Sequence, residues 1–181
     1  AIGHAQIRLA GIAESRGTGA LPGTSFKNGY AMAVEEINAS GGVIGQQLVL
    51  TQYDIDTTPV AAEDAAKQAL LAKPFAVIGP VFSGLTLAAM QHTAPSRTPH
   101  FTGGEAATLT QKFHPSLMRT SLSQLGSVPR LGALATQGLR AKKLGLLWID
   151  NPFGRDGKAA LQAAINRRGA AITFDVPVRP G

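Results

Sequence analysis

The 181-residue sequence contains no cysteine, which excludes disulfides, thiolate catalysis and Cys-ligated zinc. Aromatic residues are scarce, at 6% with one tryptophan, and 11 Asp and Glu face 17 Lys and Arg for a formal charge of +6. A basic excess of this kind fits nucleic acid when the cations form a stripe interleaved with stacking rings. Here they are scattered and rings are few, so the charge reads as a solvated surface with no nucleic-acid partner. No apolar run approaches the roughly 20 residues of a membrane-spanning helix. The opening AIGHAQ carries no signal-peptide pattern. His4, His92, His100 and His114 lack metal-ligand spacing and no HExxH occurs, so they read as surface or structural residues, with no metal or cofactor expected.

What is present is an alternation of short apolar runs and longer stretches with helical spacing, the βαβ pattern of a parallel sheet covered by helices. IRLAGIA (Ile7 to Ala13) reads as a first strand, followed by a Gly-rich loop and a helix with Phe26, Tyr30, Val34 and Ile37 on one face, stopped at Gly41-Gly42. QLVLTQYDID (Gln47 to Asp56) is a second strand, and Pro59 opens an Ala-rich helix running to Lys73. Phe75 to Ile78 is a third strand, broken by Gly79-Pro80, with a helix resuming after Ser83-Gly84 and ending near Pro95. Pro99 to Gly104 is a fourth strand, Glu105 to Phe113 a short helix or turn, and Ser116 to Leu122 a fifth extended segment.

Residues 1–120 thus read as one α/β lobe with a doubly wound parallel sheet. Residues 121–181 begin a second lobe: a helix through Val128, Leu131, Ala135 and Leu139, a buried strand Lys143 to Ile149, a helix through Ala160, Leu161, Ala164 and Ile165, and a strand Ala171 to Val178. The pattern halts at Arg179-Pro180-Gly181, so this second sheet is expected to be unfinished and the lobe truncated. An unpaired apolar strand edge of that kind invites a homodimer or swapped assembly.

Gly17-Thr-Gly19-Ala-Leu-Pro-Gly23 invites a dinucleotide reading, but Glu14, Ser15 and Arg16 separate it from the strand, and Asp54 lies too far along to be the ribose-binding acid. A flexible binding loop is expected there instead. Ser83 is not the nucleophile of a G-x-S-x-G elbow, because Val81 stands where the first glycine belongs. In an open α/β sheet, ligands sit beyond the carboxyl ends of the strands. Three such ends carry small hydrogen-bonding residues: Ser15 to Gly19, Ser83-Gly84, and Gly103-Gly104-Glu105. The helix start at Ser83 suits a carboxylate or another acceptor; the alternative is that Ser83 only caps its helix.

FKNGYAMAVEEINASGGVIGQQLVL, YDIDTTPVAAEDAAKQAL, AVIGPVFSG, GGEAATLTQ, LMRTSLS and LGLLWIDNPFGRDG together resemble the periplasmic solute-binding proteins of ABC transporters, of the branched-chain amino-acid (Leu/Ile/Val) type. The resemblance implies the type I periplasmic-binding-protein fold, in which two flavodoxin-like α/β lobes close over a ligand in an interlobe cleft. It implies a complete first lobe and part of the second here, with the first of three crossings near Leu117 to Ser123. It carries Ser83, beside Gly84, onto the ligand-carboxylate position, Gly103 and Gly104 onto the loop holding amino and carboxylate groups, and Phe153 onto a ring that packs on the ligand. Glu105 and Ala106 stand where the family usually has Ala and Thr; a carboxylate at 105 would pair with a ligand ammonium, amidine or amide, or else begin a helix.

The expected function is therefore non-enzymatic: capture of a small-molecule ligand, an amino acid or a related amide or acid, in the periplasm or another extracytoplasmic space, and delivery to an ABC transporter membrane permease. A ligand-sensing receptor or regulator domain of the same fold is the alternative.

Overall fold

The computed structural model describes residues 6–111 and 114–179; His4, Phe113 and the terminal Pro180-Gly181 lie outside them. The chain divides into two compact units. The first holds the described residues up to Gly104 together with 114–120, and the second holds 105–111 and the residues from Ser121 on. The segment following Gly104, which the sequence pattern assigned to the first lobe, thus makes its contacts with the second unit.

In the first unit, β1 (Ile7–Arg16), β2 (Leu48–Asp56), β3 (Ala76–Ile78), β4 (His100–Thr102) and β5 (Leu117–Arg119) form one parallel sheet in the order β2-β1-β3-β4-β5. β1 is longer than its apolar run because Glu14 to Arg16 stay paired with β2 across a bulge. The strand order reverses between β1 and β3, the point at which an open α/β sheet opens a crevice beyond its carboxyl ends.

Helix α1 (Ala20–Ala39) starts well before Phe26, so the glycine-rich stretch is not the flexible loop the sequence suggested. Thr57 pins it instead: its hydroxyl accepts from Gly19 N–H at 2.9 Å and donates to Arg16 O at 2.7 Å. Helix α2 (Pro59–Leu71) has Thr58 as N-cap, accepting from Ala61 N–H, and Pro59 at its first position. It buries Ala62, Ala65, Ala66 and Ala69, small side chains that let α3 (Ser83–Ser96) lie close. Ile12, Val77, Ile55, Leu85 and Ala89 complete this core.

β4 opens on His100, 1% exposed, between Thr93 of α3 and the carbonyl of Gly79. Gly79 O can only accept, so imidazole Nε2 carries the proton and donates to it at 2.6 Å, while Nδ1 accepts from the Thr93 hydroxyl at 2.9 Å. The ring is neutral, and burial pushes its pKa down to about 4.

In the second unit, α4 is the single turn Thr108–Gln111, within the stretch from Glu105 that the sequence suggested as a short helix or turn, α5 spans Gln124–Ala133 and passes into a π turn over Leu134–Gly138, and α6 spans Pro152–Asn166. β6 (Lys143–Ile149) and β7 (Ala171–Val178) pair in parallel as a two-stranded sheet. Leu161, Ile165 and Ala170 pack with Val128, Leu144, Leu146 and Ile172. β6 was expected to be a buried strand. Its burial alternates instead, with Lys143, Gly145 and Leu147 exposed, and Phe174, Val176 and Val178 of β7 are exposed too. Helices cover one face only among the described residues.

His100 gives the first unit a pH dependence. Its folded pKa lies below the ordinary 6.5, so the unfolded chain binds more protons between about pH 4 and 6.5. Stability is therefore full above pH 6.5 and falls as the pH drops toward 4, by on the order of 3 kcal/mol in all. His100→Gln retains a donor and an acceptor but cannot titrate. Urea unfolding at stepped pH should show a shallower acid-side slope for the variant; an identical slope would assign the acid sensitivity elsewhere.

Candidate functional site

The carboxyl ends of β1 and β3 meet at the Pro80–Gly84 loop. Ser83, 3% exposed, is the first residue of α3, and Phe82, in extended conformation, holds the N-cap position. Ser83 is therefore not the cap that one reading of the sequence made it. The capping acceptor comes from another strand: Glu14, fully buried at the end of β1, takes Val81 N–H on both carboxylate oxygens at 3.1 Å and Phe82 N–H on Oε1 at 2.8 Å. Leu85 and Thr86 N–H donate to Phe82 O. Between these groups lies the Gly84 N–H, which has no acceptor among the described residues, beside Ser83 at the electropositive end of the helix.

Gly103 and Gly104, after β4, adjoin this loop. A side chain on Gly103 would be in van der Waals contact with Val81, at 3.5 Å. Thr102 fixes both segments: its hydroxyl donates to Pro80 O at 2.9 Å and accepts from Gly104 N–H at 2.9 Å and from Thr86 Oγ1 at 2.7 Å. Arg119 of β5 donates to Gly104 O at 2.5 Å. Four of the expected site residues, Ser83, Gly84, Gly103 and Gly104, thus share one end of the first unit's sheet.

The other two, Glu105 and Phe153, belong to the second unit. Gln124, buried at the start of α5, connects them: its N–H donates to Glu105 O at 3.1 Å and its Nε2 to Phe153 O at 2.9 Å. Phe153 is 40% exposed in the first turn of α6, which Asn151 caps by accepting Gly154 N–H. Glu105 precedes α4 rather than starting it, so the helix-start role is corrected. Residue patterns missed Glu14, Thr102, Arg119 and Gln124. For Glu14 a signal existed, a carboxylate closing an apolar strand run just before three glycines.

Among the described residues no three His, Asp or Glu side chains gather as a metal site would require. His92 meets Glu63, and His114 Nδ1 accepts from Ser116 N–H. No helix among them is long and apolar enough to cross a membrane. A cavity lined by Gln6, Arg8, Gln46, Lys73 and Phe75 lies at the amino ends of β1 and β3, away from the residues above.

Thr102 is the junction of the two loops, and Thr102→Val should remove the hydroxyl's bonds to Gly104 N–H and Pro80 O. A loss of about 1–3 kcal/mol is expected, read as a lower urea midpoint at unchanged slope, with Thr102→Ser close to the parent. Equal midpoints for Val and Ser would show that the hydroxyl does not hold the loops.

A family model described as periplasmic binding protein matches residues 6–181. The Leu/Ile/Val-binding protein BraC3 of Rhizobium johnstonii is 26% identical over 99% of this chain and 49% of its own length. A leucine binding protein of Thermotoga maritima superposes with a TM-score of 0.88 at 20% identity, covering 97% of this chain and 49% of that one. A Rhodopseudomonas palustris solute binding protein of an ABC transporter, solved with 3,4-dihydroxybenzoic acid, gives 0.85 at 20% identity, covering 96% and 47%. The chain spans about half the length of these relatives. With a sheet of order 2-1-3-4-5 and a family match over nearly all its residues, the chain belongs to the periplasmic binding protein family.

Proposed function

We propose that this chain is part of an extracytoplasmic solute-binding protein of an ABC transporter. It captures a small polar ligand, an amino acid or a related amide or acid, and hands it to the membrane permease; it performs no catalysis. The observation that carries this reading is the Ser83-Gly84 step: a buried hydroxyl residue and an available main-chain N–H at the positive end of α3, at the sheet's reversal point. The arrangement can hold a carboxylate without any side chain that must gain or lose a proton. Gly103 and Gly104 let a ligand approach the adjacent backbone, and the family resemblance adds Glu105 and Phe153 as candidate ligand residues. The relatives' named ligands, leucine and 3,4-dihydroxybenzoic acid, both carry a carboxylate.

The test is a thermal-shift and calorimetric screen of the full-length protein against leucine, isoleucine, benzoate, 3,4-dihydroxybenzoate and the corresponding amides. At least one carboxylate probe should raise the melting temperature. Ser83→Ala should then weaken its binding by about 1.5–3 kcal/mol, the worth of one hydrogen bond to a charged group. Unchanged affinity would return Ser83 to packing.

Glu105→Gln preserves shape and removes the charge. It should lower affinity several-fold for probes bearing an ammonium and spare benzoate. Equal affinities for every probe would show that the Glu105 side chain stays away from the ligand.

A further inference from the structure

The best-enclosed charge in the first unit has no part in the function so far. Glu14 is fully buried, and among the described residues no cationic side chain pairs with it. Its two oxygens face main-chain N–H groups, from Val81 and Phe82, which is the acceptor-only pattern of an ionised carboxylate. A buried charge needs compensation, and here the start of α3 provides it. The surroundings are shaped to admit the side chain. A Cβ on Gly19 would lie 3.1 Å from Glu14 Cβ and 2.9 Å from Thr57 Oγ1, and one on Gly23 would strike the Glu14 carbonyl. The glycines that resembled a nucleotide fingerprint thus make room for the Glu14 backbone and the root of its side chain.

The N–H groups that follow in the chain are those of Ser83 and Gly84. We infer that Glu14 is a positioning and specificity-determining residue for the ligand: it fixes the Val81–Gly84 loop and, as a fixed negative charge sharing the same helix end, it sets how strongly the site favours a carboxylate over a neutral amide. The inference rests on the reading that a ligand carboxyl group occupies the Ser83-Gly84 step. Two carboxylates at one helix start share its positive potential and repel each other in a poorly screened environment. Removing the inner charge strengthens the hold on the outer one. Glu14→Gln keeps Oε1 as an acceptor for Val81 and Phe82 while deleting the charge, and Glu14→Asp keeps the charge on an arm one methylene too short to reach both N–H groups.

The experiment is calorimetric titration of the full-length protein with two matched pairs, leucine with leucinamide and benzoate with benzamide. In the pair that binds, Glu14→Gln should raise the carboxylate-to-amide affinity ratio threefold or more. Glu14→Asp should weaken both members of the pair at least threefold and leave the ratio at its original value. A purely structural role would lower stability in both variants without moving the ratio. Binding by the unaltered protein with the same ratio in Glu14→Gln overturns the proposal, as does parental affinity in Glu14→Asp should Glu14→Gln fail to fold. Failure of all four probes to bind the unaltered protein overturns instead the underlying reading of the Ser83-Gly84 step, and this proposal falls with it.

Discussion

One interaction ties the first unit's functional end together: the Glu14 carboxylate on the Val81 and Phe82 N–H groups. A helix start leaves its leading N–H groups without partners inside the helix, and they must be met by a cap, by water or by a ligand. In α2 the adjacent Thr58 does this locally. In α3 the preceding residues are Pro80, Val81 and Phe82, none with a side-chain acceptor, and the acceptor arrives from β1. The loop is thereby clamped to the sheet at the strand-order reversal. Strand β1 extends as far as Arg16, and glycine is required at position 23, where α1 passes against the Glu14 main-chain carbonyl.

A column of buried polar groups extends the clamp. His100 holds Gly79 O, Thr102 holds Pro80 O, and Thr86 reaches Thr102 from within α3. Each group has a partner that matches its donor or acceptor character, so the column adds rigidity without leaving an orphan in the core. The loop's shape follows from these internal bonds. A site pre-formed in this way loses little freedom on binding, which leaves more of the contact energy for affinity.

Much of the architecture was legible in the sequence. Strands β6 and β7 run from Lys143 to Ile149 and from Ala171 to Val178 as their apolar runs indicate, and α2 starts at Pro59 beside its threonine cap. Period and cap chemistry are local properties, and local properties can be read from one chain. What could not be read depends on partners distant in sequence. The early start of α1 rests on Gly23 packing against Glu14, and the partnership of Glu14 with Val81 spans 67 positions. The sequence leaves open whether Glu105 starts a helix, because Glu105 to Gln111 has ordinary helical composition; it precedes the α4 turn, its carbonyl engaged by Gln124 of α5. The burial of β6 was overestimated for a related reason: an apolar run records what a strand can pack against, not what covers it.

The two units solve the same problem by different means. In the first, the candidate residues are held through the Glu14 carboxylate, the Thr102 hydroxyl and the Arg119 guanidinium, which bond main-chain atoms. In the second, one residue, Gln124, bonds the carbonyl of Glu105 through its backbone N–H and that of Phe153 through its Nε2. The first unit's candidate residues thus owe their placement to side chains remote in sequence, whereas in the second a single residue at a helix start engages the main chain of both Glu105 and Phe153.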